Sequence, residues 1–300
     1  MAPTPGIGMP VPGGITFQQQ FSPNGHFALW MHDNILLYVV FAVSIFVLAL
    51  LVWVLIRYNA RANPVPSRTT HNTLLEVAWT GIPVLILLGV FIPSMELLAK
   101  QYAVLPANAL TVKATGNQWY WSYSYPDNGG FEVTSNILKE KDKVAPGERY
   151  RTDADGPQQL AADYRMVLPV GEPIRLQTTG ADVIHSFAVP SLWFKLDAVP
   201  GRINEKMLFI EKPGVYFGQC SELCGVRHGY MPIVVEALDR PHFNAWVLTH
   251  DGGKIDGAPV VPAPAAAASG AASAASAPAA DASDAAASTS AATASAATGA

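Results

Sequence analysis

The chain has 300 residues, half of them hydrophobic and only 14% charged, with a formal net charge of −4. That charge is too small to imply a nucleic-acid partner, and so low a charged fraction is unusual for a wholly soluble protein. Two cysteines exclude a disulfide-rich secreted scaffold, and the length allows a membrane anchor plus one domain of ordinary size.

Residues 1–33 open the chain with a segment whose first 25 residues are rich in glycine and proline and hold no lysine or arginine. They lack the basic start and small-residue cleavage pattern of a signal peptide. Residues 34–99 read as a transmembrane hairpin. Residues 35–56 are uncharged over 22 positions, about 33 Å of helix against a hydrocarbon core of about 30 Å. A second uncharged run, 77–95, spans about 28 Å and contains Pro83 and Pro93, which transmembrane helices tolerate. Between them lie Arg57, Arg61 and Arg68, and no basic residue precedes Arg57. The positive-inside rule puts this loop in the cytoplasm or matrix and both termini outside. Glu76, the only ionisable residue between His71 and Glu96, stands at the inner end of the second span.

Residues 100–256 read as an exported all-β domain. Strand composition marks 110–116, 118–125, 164–169, 173–180, 182–189, 206–211, 214–219 and 231–238, punctuated by proline and glycine. No helical crossover separates them, so a parallel α/β sheet is not expected. The polar stretch 138–163 reads as a long surface loop. Asp239 can cap a short helix over 241–250. Alternation in the aromatic run puts Trp119 and Trp121 on one face and Tyr120 on the other. Residues 257–300 are dominated by alanine and serine with almost no large apolar side chain, the composition of a disordered tail.

The chemistry lies in Cys220-Ser221-Glu222-Leu223-Cys224-Gly225-Val226-Arg227-His228-Gly229-Tyr230-Met231, with His185 upstream. Thiolate, imidazole and thioether together suit a soft or borderline metal, copper best. A structural disulfide across so short a loop would contribute little. Two cysteines, two histidines and one methionine supply enough donors for two copper ions, although spacing alone does not count metals. His26, His32, His71, His242 and His250 have no partner at ligand spacing and are read as interfacial or surface residues.

This loop, preceded by DVIHSFAVPSLWFKLDAVPGRINE, resembles the binuclear copper (CuA) fingerprint of cytochrome c oxidase subunit II, and the likeness runs from about His32 to about His250. It implies a membrane-anchored, cupredoxin-like Greek-key β-barrel on a two-helix hairpin. It also implies CuA ligands Cys220, Cys224, His185, His228, Met231 and the backbone carbonyl of Glu222. Trp119 matches the surface tryptophan that takes electrons from cytochrome c. Glu222 matches a magnesium ligand at the boundary with the catalytic subunit I. Glu76, in LLEVAWTGIP, matches a residue at the mouth of a proton pathway. The implied activity is transfer of electrons from cytochrome c to haem in the catalytic subunit, for oxygen reduction coupled to proton pumping. The chain itself would sit in a membrane, the inner membrane in a bacterium, beside other oxidase subunits. Asn117 and Ser124 depart from the commonest family pattern, and acids outnumber bases by only three over residues 101–256, leaving Asp182 and Asp197 as candidate steering acids.

Two rivals have distinct signatures. A membrane-anchored copper-delivery or thiol-redox protein shares Cys-x3-Cys and a distant histidine, but has alternating helices and strands and no methionine after the second histidine. A quinol-oxidase subunit II keeps the hairpin and barrel but lacks the copper ligands.

Overall fold

The computed structural model describes residues 1–255. The predicted tail, 257–300, lies outside the described residues. Helix α1 (Pro23–Met31) starts where the Ser22 side chain accepts from the Gly25 amide, with proline at the first helical position. A π-helical turn (His32–Leu36) joins it to α2 (Leu37–Arg57), so the first long helix begins well before the uncharged run. Sequence reasoning missed this start because His26, His32 and Asp33 interrupt the apolar pattern. No residue of α2 is buried within the chain, as expected of a helix whose neighbours are lipid or other subunits. Helix α3 (Thr73–Gln101) runs unbroken through Pro83 and Pro93. The Asn72 side chain accepts from Leu75 N, and Glu76 accepts from Asn72 N at 3.3 Å, so Glu76 also caps its own helix.

The β domain holds ten strands: β1 (Leu110–Asn117), β2 (Tyr120–Ser124), β3 (Glu132–Ser135), β4 (Met166–Pro169), β5 (Pro173–Gly180), β6 (His185–Val189), β7 (Phe194–Ala198), β8 (Asn204–Phe209), β9 (Gly214–Cys220) and β10 (Pro232–Leu238). They form two five-stranded sheets, in the orders β3-β2-β1-β5-β8 and β4-β10-β9-β6-β7. Among the described residues, β1 with β5 and β10 with β4 pair in parallel and the other strand pairs are antiparallel. The chain passes from the β1-β2-β3 meander to the second sheet at β4 and returns to the first at β5, a Greek-key route. Trp121, Tyr123, Phe187, Met166, Leu176 and Tyr216 fill the shared core. Strands β3 and β7 were not expected. Both are short edge strands with exposed residues, such as Glu132 and Lys195, that hide the alternation. Helix α4 (Arg240–Val247) follows, its Asp239 cap accepting from His242 N as expected.

The N-terminal segment lies along the barrel: Phe217 N donates to Gly8 O, and buried Phe21 exchanges backbone bonds with Ser191 and Glu211. At the foot of the barrel, Lys206 hydrogen-bonds Gln101 at the end of α3 and stands over the rings of Tyr102 and Phe194. Burial pushes the Lys206 ammonium below its usual range, and the two ring faces offset part of that cost.

Candidate metal centre

The site is built at the barrel end where β1, β5 and β9 finish and β6 begins. Strand β9 delivers Cys220 as its last residue; the loop to β10 then carries Cys224, His228 and Met231. His185 is the first residue of β6 and is fully buried. Its ring lies over Gly116, where an added Cβ would come within 2.7 Å of the imidazole, so the histidine needs glycine at that point of β1.

Both cysteines are free, buried thiols with sulfurs 3.9 Å apart. The other donors divide between them. His185 Nδ1 lies 3.9 Å from Cys220 Sγ, and the Glu222 carbonyl oxygen lies 3.4 Å from it. His228 Nδ1 lies 3.6 Å from Cys224 Sγ, and Met231 Sδ lies 3.5 Å from it. The ligand atoms of His185, Cys220 and Cys224 all fall within 4.8 Å of one another. With metal–sulfur bonds of about 2.3 Å, sulfurs at this separation are close enough for both thiolates to hold metal together. Donor chemistry and spacing therefore fit copper.

Burial opposes charge on Cys220, but hydrogen bonds from His185 and nearby backbone groups outweigh it and pull the thiol down to about 6. Burial and the neighbouring Cys220 charge push Cys224 up to about 12. A cation that binds both sulfurs must displace whatever protons they carry. Burial also disfavours imidazolium at His185, but Cys220 and Asp182 outweigh it and raise its pKa.

Asp182, a candidate steering acid from the sequence, is exposed and also holds the buried histidine. Its Oδ1 accepts from His185 Nε2 at 2.8 Å and from Val183 N at 2.6 Å, while Oδ2 accepts from Gln118 N at 2.7 Å. It orients the imidazole so that Nδ1 faces the sulfurs. The available signal was its position three residues before His185. Asp197 is likewise engaged, accepting from Ser186 Oγ at 2.7 Å.

Trp119 departs from expectation. It does not share a strand face with Trp121; Gln118 and Trp119 form the turn between β1 and β2, while Trp121 is wholly buried. The turn is tied to the metal loop, since Gln118 Nε2 donates to the Cys224 carbonyl at 2.8 Å. The half-buried Trp119 ring packs against Gly225, whose φ of +125° favours glycine and where a Cβ would lie 3.0 Å from the indole. Met231 precedes β10 instead of starting it. The Glu222 side chain is exposed and forms no hydrogen bond or ion pair among the described residues. The other five histidines sit elsewhere: His26 with Glu211, His32 with Asp33, His71 exposed in the loop between the spans, His242 with Asp239, and His250 stacked on Phe131.

An apolar helical hairpin carrying a β-barrel, with thiols, imidazoles and a thioether gathered at one end, defines a membrane-anchored metalloprotein. Residues 10–97 match the family described as cytochrome C oxidase subunit II, transmembrane domain, and residues 110–238 match its periplasmic domain. The probable cytochrome c oxidase subunit 2 of Rickettsia felis is 42% identical over 248 residues, 83% of this chain and 75% of that one. The cytochrome c oxidase subunit 2 of Cereibacter sphaeroides is 39% identical over 255 residues, 82% and 84% of the two chains. The crystal structure of the periplasmic domain of subunit II of cytochrome oxidase of Bradyrhizobium japonicum is 47% identical. It covers 49% of this chain and 97% of its own, with a TM-score of 0.42. The chain belongs to the cytochrome c oxidase subunit II family. It is a subunit of the haem–copper oxidase, an oxidoreductase complex of the membrane whose subunit II binds copper.

Proposed function

We propose that this chain accepts electrons from cytochrome c at a binuclear copper (CuA) centre and passes them to haem in the catalytic subunit. There, oxygen is reduced to water and protons are pumped. The observation that carries the reading is the division of donors into two half-sets around one pair of sulfurs: His185 and the Glu222 carbonyl beside Cys220, His228 and Met231 beside Cys224. Two copper ions held by both thiolates would supply a one-electron carrier whose charge change is shared, with little rearrangement at each transfer. The chain's own residues do the rest. Asp182 holds the His185 ring, Gly116 gives that ring its space, and the barrel core keeps water from both sulfurs. The thiol-redox rival is disfavoured because the two sulfurs are flanked by imidazole and thioether donors that dithiol exchange does not need.

Trp119 is the point at which electrons come in. Its ring is partly exposed, and its inner edge rests on Gly225, one residue from Cys224. Glu222 would offer its carbonyl to the copper centre, and its unpaired carboxylate would hold a magnesium ion at the boundary with catalytic subunit I. Glu76 is the mouth of a proton pathway on the cytoplasmic side; Arg57, Arg61 and Arg68 between the spans support that side for their loop, with both termini on the periplasmic side of a bacterial inner membrane. The test is transient electron transfer from cytochrome c to the assembled oxidase. Parent enzyme should reduce its copper centre before haem, and Trp119→Ala should slow that first step at least tenfold with its copper spectrum unchanged. Haem reduction without prior reduction of the copper centre contradicts the proposal.

A further inference from the structure

The turn that carries Trp119 is held at two points, and both lead to the metal donors. Gln118 N donates to Asp182 Oδ2 at 2.7 Å, and the same carboxylate accepts from His185, the imidazole beside Cys220. Gln118 Nε2 donates to the Cys224 carbonyl at 2.8 Å, on the other side of the sulfur pair. Among the described residues no other donor meets that carbonyl. The Trp119 ring has no such tie of its own. Its Nε1 is buried without a hydrogen-bond partner among the described residues. Its contacts are packing alone: the edge of the core, Gly225, and the Arg227 guanidinium carbon 5.9 Å from the ring centre. Gln118 as a residue is exposed, yet its amide points inward at the metal loop. Exchanging water for one carbonyl adds little net stability. What the bond supplies is position, because it joins the turn and the loop that flank the indole.

We propose that Gln118 is a positioning residue for electron entry: its side-chain bond to the Cys224 carbonyl fixes the Trp119 indole against the loop that carries Cys224. This rests on Trp119 as the point of electron input. A group that must be aligned with its reaction partner can lose about a hundredfold in rate when displaced by about 1 Å. A released ring still visits the held position, so a smaller loss of about three- to tenfold is expected.

Two variants test this. Gln118→Met keeps the length and the apolar stem but cannot donate, and Gln118→Glu turns a carboxylate toward the carbonyl. In the copper-free full chain labelled with 5-fluorotryptophan, the Trp119 resonance is assigned by its loss in Trp119→Phe. In both variants it should sharpen and move toward the position of free indole, as a ring averaging over rotamers does. In the assembled, copper-loaded oxidase, transfer from bound cytochrome c to the copper centre should slow about three- to tenfold in Gln118→Met. The dissociation constant for cytochrome c should stay near the parent's, and the copper spectrum should not change. A first-order rate inside the complex does not depend on the fraction of enzyme that assembled. An unmoved Trp119 resonance, or a parent-like rate beside a slow Trp119→Ala, overturns the proposal. So does slowing traced wholly to weaker cytochrome binding, which would make Gln118 a docking contact. Parent-like rates in Trp119→Ala and Gln118→Met together refute electron input at Trp119, while the fluorine signal still reports whether Gln118 holds the ring.

Discussion

Replacing Asp182 with asparagine tests how the barrel holds its histidine. Burial would raise the Asp182 carboxyl, but hydrogen bonds from the His185 ring and from Val183 and Gln118 amides outweigh it and hold it below the usual carboxylate range. The carboxylate is therefore ionised near neutrality, and Asp182→Asn removes a full charge while nearly preserving shape. Asparagine has one acceptor oxygen where Asp182 uses two, so either Gln118 N or the His185 and Val183 pair faces an amide NH2 group instead. An unsatisfied buried donor costs about 1–3 kcal/mol, and the lower end applies because Gln118 can turn toward water. Losing the group that orients a metal-binding histidine typically weakens metal affinity by about 10–100-fold, or roughly 1.4–2.8 kcal/mol. Copper affinity is read by competition with a chelator of known strength, and stability by thermal unfolding of the copper-free protein. The expected result is a loss of at least tenfold in affinity with a modest fall in unfolding temperature. Affinity within about twofold of parent refutes the positioning role and leaves Asp182 an ordinary surface acid.

Gly116→Ala should drive a methyl group into the His185 ring and cost about 1–3 kcal/mol of stability together with copper affinity; unchanged unfolding and copper titrations would show that the ring can move aside. Glu222→Gln should lower magnesium or manganese content of the assembled oxidase while the copper spectrum stays nearly intact, and equal metal content counts against the carboxylate as ligand. Glu76→Gln separates two roles, because glutamine can still accept the Asn72 amide bond that Glu76 makes. Slowed oxygen consumption in Glu76→Gln supports proton uptake through the carboxyl group, whereas slowing in Glu76→Ala alone leaves Glu76 a helix cap.

The parts of the molecule with a strong local signal were readable from the chain. Both spans announce themselves as uncharged runs, and the metal loop keeps four of its side-chain donors within twelve residues. What could not be read was set by contacts distant in sequence. The run 118–125 has strand composition throughout, yet its first two residues turn because Gln118 is held by Asp182 and by the Cys224 carbonyl, 64 and 106 residues away. Edge strand β7 hides behind the outward side chains of Lys195 and Asp197, since an edge needs no continuous apolar face. The parallel pairing of β1 with β5 leaves no local trace at all. Asp182 was legible as an acid near the site, but whether it faces solvent or imidazole depends on the turn into β6.

The central claim is one electron shared between two copper ions held by Cys220 and Cys224, and electron paramagnetic resonance of the oxidised, copper-loaded oxidase addresses it directly. An electron spread equally over two copper nuclei gives a seven-line hyperfine pattern, and it should vanish in Cys220→Ser and Cys224→Ser while Met231→Leu only perturbs it. A four-line pattern from a single copper, or a normal binuclear spectrum in either serine variant, would contradict the account.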